Sequence, residues 1–216
     1  MYKLNHVEGV IFDMDGTLID SMSMWENIAS DYLKKNGYQP EANLGSLLKT
    51  MSLLQGTEYV IKTYSMKETV KEILDGINEL AIEKYEKELK PKEGAVELVQ
   101  SLAKRGINMC VATASDSRLA KLCLERIGIL NLLKGVYTCG EIGVGKDSPI
   151  LFEYALEQLG TTKETTYVFE DSLYAVETAK KAGFPVVAIY DEASKEDEII
   201  LREKADIYIN SMKELL

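Results

Sequence analysis

Histidine, tryptophan, proline and cysteine are scarce: 216 residues hold one His, one Trp, four Pro and three Cys. Cys110, Cys123 and Cys139 are odd in number and show no C-x-x-C spacing, and His6 is the sole histidine, so no soft-ligand set for a zinc cluster is present. Reduced, mostly buried thiols and a cytoplasmic chain are therefore expected. His6 stands before the first apolar run with no partner in sequence and reads as surface. Positive charge is short as well: 25 Lys and Arg against 35 Asp and Glu leave a net charge of −10. Binding nucleic acid or acidic lipid without regard to sequence takes basic surface, so neither partner is expected. No window approaches the ~18 apolar residues of a membrane span, and the first residues lack a signal peptide's apolar stretch. No internal repeat or low-complexity tract is seen.

What is present is ordinary in amount, with 46% hydrophobic and 28% charged residues, enough for one well-cored domain or a core with a small insertion. Its arrangement is not ordinary. Val10-Ile11-Phe12 reads as a buried strand and runs straight into Asp13-Met14-Asp15-Gly16-Thr17. Residues two apart in an extended chain project to the same side, so both carboxylates are expected to leave the strand end together. Two like charges there repel unless a divalent cation or a shared proton occupies the gap. A polar turn explains one aspartate and the glycine, not both aspartates.

After Asp20, a helix is expected over 21–36, with Ser21 as its cap, a stripe of Trp25, Ile28, Ala29, Tyr32 and Leu33, and Gly37 after its end. Two or three further helices are expected between 42 and 89, where Val70, Ile73, Leu74, Ile77, Leu80 and Ala81 recur at helical spacing. From residue 95 helices and strands alternate: helices over 95–104, 116–127, 148–159, 173–182 and 195–204, and strands at 107–112, 136–138, 166–169, 186–190 and 207–209. Alternation of this kind means right-handed crossovers and a parallel sheet covered on both faces. The fold class is thus α/β, with an all-helical insertion after the first strand; the core is expected at 1–20 and 91–216 and the insertion at 21–90.

Ligands of such sheets collect at the carboxyl ends of the strands. The first strand delivers Asp13 and Asp15, the second Thr113, Ala114 and Ser115, the third leads to Lys146, and the next delivers Glu170, Asp171 and Ser172. This is the inventory of a metal and phosphate site. Asp13 is the candidate nucleophile, since a carboxylate can attack phosphorus, and Asp15 the acid and base that serves the leaving oxygen and then water. Mg2+ takes about six oxygen ligands; Asp13, the Asp15 carbonyl and Asp171 are the candidates, with Glu170 orienting a bound water. Thr113 and the Ala114 amide are assigned to the phosphoryl oxygens, helped by free N–H groups at the helix start near Asp116. Lys146 offsets the negative charge. The run from Gly140 to Lys146 also fits G-x-x-x-x-G-K, but Asp147 replaces the Ser or Thr of a nucleotide-binding loop, and Pro149 starts the next helix too late.

With these residues in place, the chain is identified as a member of the haloacid dehalogenase-like hydrolase superfamily, in its phosphatase and β-phosphoglucomutase-like branch. The first motif matches at Asp13-Met14-Asp15-Gly16-Thr17-Leu18, the second at Thr113, the fourth at Glu170-Asp171-Ser172. The third, usually Gly-Lys-Pro-x-Pro, appears as Gly145-Lys146-Asp147-Ser148-Pro149. The resemblance implies a Rossmann-like core, an inserted helical cap that selects substrate, Mg2+ and an aspartyl-phosphate intermediate. Asp15 favours phosphoryl transfer over carbon–halogen cleavage. The expected activity is hydrolysis of a small phosphomonoester by a monomer. A sugar-phosphate mutase is the alternative, weakened because Trp25 and Leu53 stand near places where the mutase carries a histidine and an arginine. A non-catalytic phosphometabolite-binding protein is the alternative of another class. Trp25, Lys49, Met22 and Met24 are the candidate substrate contacts in the cap.

Overall fold

Gly9–Phe12 forms strand β1, and its side chains are buried on both faces, which is why the run reads as continuously apolar rather than alternating. The computed structural model describes residues 4–48, 51 and 53–216. After β1 the chain makes β2 (Ile19–Asp20) and then helices α1 (Met22–Lys35), α2 (Leu44–Leu48), α3 (Leu53–Tyr64) and α4 (Val70–Lys87). It returns through β3 (Lys90–Pro91) into α5 (Ala95–Lys104), β4 (Asn108–Thr113), α6 (Ser117–Arg126), β5 (Val136–Thr138), α7 (Cys139–Ile142) and α8 (Ile150–Leu159). The order closes with β6 (Thr166–Glu170), α9 (Leu173–Lys181), β7 (Val186–Ile189), α10 (Glu198–Lys204) and β8 (Ile207–Ile209). The chain divides into two compact units, Met1–Ser21 with Leu89–Leu216, and Met22–Glu88.

In the first unit six parallel strands lie in the order β5-β4-β1-β6-β7-β8, so β1 sits where the strand order changes direction. The register aligns Phe12 with Val111 on one side and with Phe169 on the other. One residue further on, Asp13 therefore meets the ends of β4 and β6 at the same level. Ile11, Cys110, Val168 and Val186 pack on one face with Phe152 and Val176 from the covering helices and Phe184 from the connection between α9 and β7. On the other face Phe12 and Phe169 pack with ring centroids 4.8 Å apart and planes tilted by 51°. β2 and β3 pair as a short antiparallel ribbon where the chain leaves and re-enters this unit.

The helical unit buries Met24, Ile28, Tyr32 and Leu33 from α1, and Ile73, Leu80, Ala81 and Tyr85 from α4. Gly76 lets these two helices approach closely: a Cβ there would fall 2.4 Å from Cε2 of Tyr32. Thr69 and Glu72 close a reciprocal capping box at the start of α4.

Several expectations are corrected. Ile28, Tyr32 and Leu33 form the buried stripe of α1 as expected, but Met24 completes it, and Trp25 and Ala29 are only half-buried. Ser21 precedes that helix, and its hydroxyl goes to a carboxylate described below. The helix expected over 195–204 is a 3-10 stretch over Glu192–Asp197 followed by α10, because the Asp191 side chain captures the Ala193 N–H and starts the tighter turn early. The ribbon and the one-turn α7 were not anticipated, since two-residue strands and four-residue helices carry no periodicity.

Candidate active site

Asp13 leaves β1 with its N–H donating to the Phe169 carbonyl at 2.9 Å, which ties it to the end of β6. Its carboxylate accepts from Lys146 Nζ, and the same ammonium donates to Glu170 Oε1 at 2.7 Å. The side chains of Lys146, Asp13 and Glu170 are 3%, 6% and 1% exposed. A lysine beyond β5 and α7 is ordinarily a solvated one, yet this one is buried between two carboxylates from other strands. Glu170 Oε2 accepts from the Asp171 N–H at 3.0 Å, the Ser172 N–H at 3.1 Å and the Ser172 hydroxyl at 2.9 Å. Together with Lys146 these partners match the carboxylate's roughly four acceptor sites.

Asp13, Glu170 and Asp171 each present an oxygen within 4.8 Å of the others, and all three are buried. Thr17 donates weakly to Asp171 Oδ1, at 3.4 Å. Three carboxylates around one ammonium carry an excess of negative charge, and the proton affinities of Asp13 and Asp171 show it. Burial pushes Asp13 up to about 7, against the pull of Lys146 and with the push of Glu170 and Asp15. Asp171 is raised by burial first, then by Glu170, Asp13 and Asp191. For Lys146 burial acts downward, but Asp13 and Glu170 outweigh it and hold the ammonium charged.

Asp15 has hydroxyl partners of its own. Its Oδ1 accepts from the Ser21 hydroxyl at 2.6 Å and its Oδ2 from the Ser115 hydroxyl at 2.5 Å. The acidic gap expected between the Asp13 and Asp15 carboxylates is thus bounded by Asp13, Glu170 and Asp171 instead. Gly16, with φ +82°, turns the chain there in a conformation side-chain-bearing residues avoid. At the end of β4, Thr113 Oγ1 accepts from the Ser115 N–H at 3.0 Å, which leaves the buried hydroxyl its proton to donate. Ala114 beside it is exposed. The expected anion site at the start of α6 is already filled: Asp116 Oδ1 accepts from the Arg118 N–H at 2.8 Å and the Leu119 N–H at 3.4 Å.

The nucleotide-loop alternative fails on geometry. α7 closes at Gly143, α8 begins only at Ile150, and Lys146 faces carboxylates rather than a helix start. In the helical unit the Trp25 indole N–H donates to the Tyr85 hydroxyl at 3.0 Å. Lys49 lies outside the described residues, as does the side chain of Leu53. Cys110 and Cys123 are buried and Cys139 half-buried. The hydroxyls of Ser21 and Ser115 escaped the sequence reading as partners of Asp15, because bonds to Ser115 span 100 residues and serine is common at turns and helix starts.

A family model described as haloacid dehalogenase-like hydrolase matches residues 10–189. The chain belongs to that family. Among relatives of this haloacid dehalogenase-like hydrolase, a phosphorylated carbohydrates phosphatase of Thermotoga maritima is 24% identical over 216 residues, covering 97% of this chain and 100% of the relative. Hexitol phosphatase A of Escherichia coli is 24% identical over 212 residues, covering 96% and 93%. The crystal structure of CbbY from Rhodobacter sphaeroides in complex with phosphate superimposes with a TM-score of 0.77 at 20% identity, covering 96% of both chains. At that identity the likeness speaks to the fold.

Proposed function

We propose that this haloacid dehalogenase-like hydrolase is a Mg2+-dependent phosphomonoesterase that works through an aspartyl-phosphate on Asp13 and acts on a small phosphorylated metabolite of sugar or polyol type. The observation that carries the reading is Lys146, buried between Asp13 and Glu170 with Asp171 completing an acidic trio. A purely structural ion pair needs one carboxylate, and burying three against one ammonium is costly without a further cation. The donor set fits a hard divalent ion: carboxylate oxygens only, clustered and buried. Asp13 and Asp171, with the Asp15 carbonyl, would hold it, while Glu170, its acceptor sites already filled, orients the surroundings. When bound, Mg2+ supplies charge neutralisation at the phosphoryl oxygens.

The chain's own groups perform the rest. An Asp13 oxygen attacks phosphorus, the bond from phosphorus to the ester oxygen breaks, and the departing alkoxide takes a proton from Asp15. Water then attacks the aspartyl-phosphate, Asp15 receives its proton, and Asp13 is released with inorganic phosphate. Thr113 and the Ala114 N–H hold phosphoryl oxygens, and Lys146 keeps Asp13 aimed and offsets charge as it is phosphorylated. The names of the two phosphatase relatives support the sugar or polyol class. Substrate selection is assigned to the helical unit. No helix among the described residues is long and apolar enough to cross a membrane.

The test is turnover of p-nitrophenyl phosphate and a phosphometabolite panel with Mg2+. Chelation should abolish it, and Asp13→Asn should lower kcat by about 10^4-fold or more with the fold intact by circular dichroism. ATP-selective turnover that survives Asp13→Asn would overturn the assignment.

A further inference from the structure

Single apolar side chains on a surface need no explanation, but Tyr174 is not placed at random. At 54% it is the most exposed aromatic side chain among the described residues. It is the second residue of α9, in the turn that follows Glu170, Asp171 and Ser172 at the carboxyl end of β6. The inward face of that helix is supplied by Ala175, Val176 and Ala179, so Tyr174 does not serve the core. The other exposed tyrosine, Tyr154, packs edge-on against Tyr137 with ring centroids 5.2 Å apart. No ring pairs with Tyr174 among the described residues.

The phenol is tied to the acidic site. It interacts with the Ser172 side chain and lies within electrostatic reach of Glu170, Lys146 and Asp13. Ser172 in turn donates to Glu170 at 2.9 Å, and Glu170 accepts from Lys146. A half-exposed ring with a hydroxyl at its edge, beside a charged site, suits the C–H face and hydroxyls of a polyhydroxylated carbon chain.

We propose that Tyr174 is a specificity-determining residue that forms a wall of the substrate site and contacts the alcohol portion of the phosphomonoester. The inference rests on the phosphatase reading above and extends it from the phosphoryl end to the leaving group. It separates two kinds of binding: the phosphoryl group on Thr113, Ala114 and Lys146, and the alcohol on Tyr174.

Steady-state kinetics of Tyr174→Ala and Tyr174→Phe on a hexitol phosphate and on methyl phosphate, with inorganic phosphate as competitive inhibitor, tests this. Tyr174→Ala should raise KM for the hexitol phosphate about five- to tenfold with kcat within about twofold. KM for methyl phosphate, whose alcohol offers no face to the ring, and Ki for inorganic phosphate should stay unchanged. Tyr174→Phe should retain most of the affinity. An unchanged hexitol phosphate KM in Tyr174→Ala overturns the inference. So does a parallel change in kcat and phosphate Ki, which would make Tyr174 act through Ser172 and Glu170. Wild type without phosphatase turnover would sink the phosphatase reading and this inference with it, whereas an active wild type matched by Tyr174→Ala sinks this one alone.

Discussion

Both units of the molecule pair lysine with carboxylate at nearly the same distance, yet the pairs do different things. In the helical unit Lys71 meets Asp75 at 2.6 Å with the side chains 84% and 57% exposed. In the core unit Lys146 meets Glu170 at 2.7 Å with 3% and 1% exposed, and Asp13 as well. Water screens the first pair, while the second is in a medium where charge is costly to leave uncompensated. Distance alone does not rank an ion pair; burial does. The helical unit's pair is local, four residues apart, and decorates a surface. The core's pairs span 133 and 24 residues and exist only because the sheet brings three strand ends together.

The strongest way to break this contrast is to remove each lysine. Lys146→Met leaves Asp13 and Glu170 buried without their cation, and should cost about 3–5 kcal/mol in urea unfolding at pH 8 along with most of the turnover. Lys71→Met should leave the urea midpoint where it was. Equal shifts in the two variants would remove the physical distinction between the units.

A cation and the proton should compete for the core's acidic trio. Asp13 is raised to about 7 in the folded protein against about 3.9 for an unfolded aspartate. A raised carboxyl contributes stability that is complete below the unfolded value and is lost as pH climbs through the folded one. Without divalent cation, thermal stability should therefore fall between about pH 4 and pH 8, with Asp171, also raised, adding to the fall; above about pH 6 ordinary carboxylates are already ionised and the single histidine is the only other ordinary side chain that titrates. Mg2+ at about 100 times its dissociation constant should return about 2.7 kcal/mol at pH 8 and much less at pH 5, where protons hold the site. Differential scanning at both pH values, with and without Mg2+, reads this directly. Stability that rises across the window in the absence of cation would mean the trio is not strained by its own charge.

The same contrast explains what the sequence disclosed. Val10 to Phe12, buried on both faces, and the strict alternation after residue 95 announced a parallel sheet, because a two-sided burial pattern has few other solutions. Parallel topology sends every carboxyl end to one rim, so the strand pattern alone groups Asp13, Thr113, Lys146 and Asp171 as candidates. What stayed hidden depended on side-chain direction rather than position. Nothing in the spacing of Ser21 or Ser115 says that both hydroxyls turn onto Asp15. The start of α6 carries the N–H groups an anion would take, but the Asp116 carboxylate is itself the anion that takes two of them. In the helical unit amphipathic spacing gave the elements but put Trp25 in the buried stripe, because Met24 and Trp25 lie about 100° apart around the helix, each at helical spacing from buried residues further along, and the larger apolar ring was read as the inward one.

Trp25 supplies the smallest effect and the finest test of the contrast. Its indole N–H is committed to the Tyr85 hydroxyl at 3.0 Å, and the two rings lie 6.2 Å apart at 55°. That is the signature of packing within the helical unit, where polar tips of buried aromatics find partners. Trp25→Phe removes one neutral hydrogen bond and keeps most of the ring area, so it should cost roughly 1 kcal/mol in chemical denaturation followed by far-UV circular dichroism. Because that bond joins two residues of the helical unit and involves none of the groups assigned to the phosphoryl end, Ki for inorganic phosphate should not move, and KM for a sugar phosphate should change less than about twofold. A KM rise of tenfold at unchanged stability would instead place the indole against substrate and make Trp25 part of the selection assigned to the helical unit.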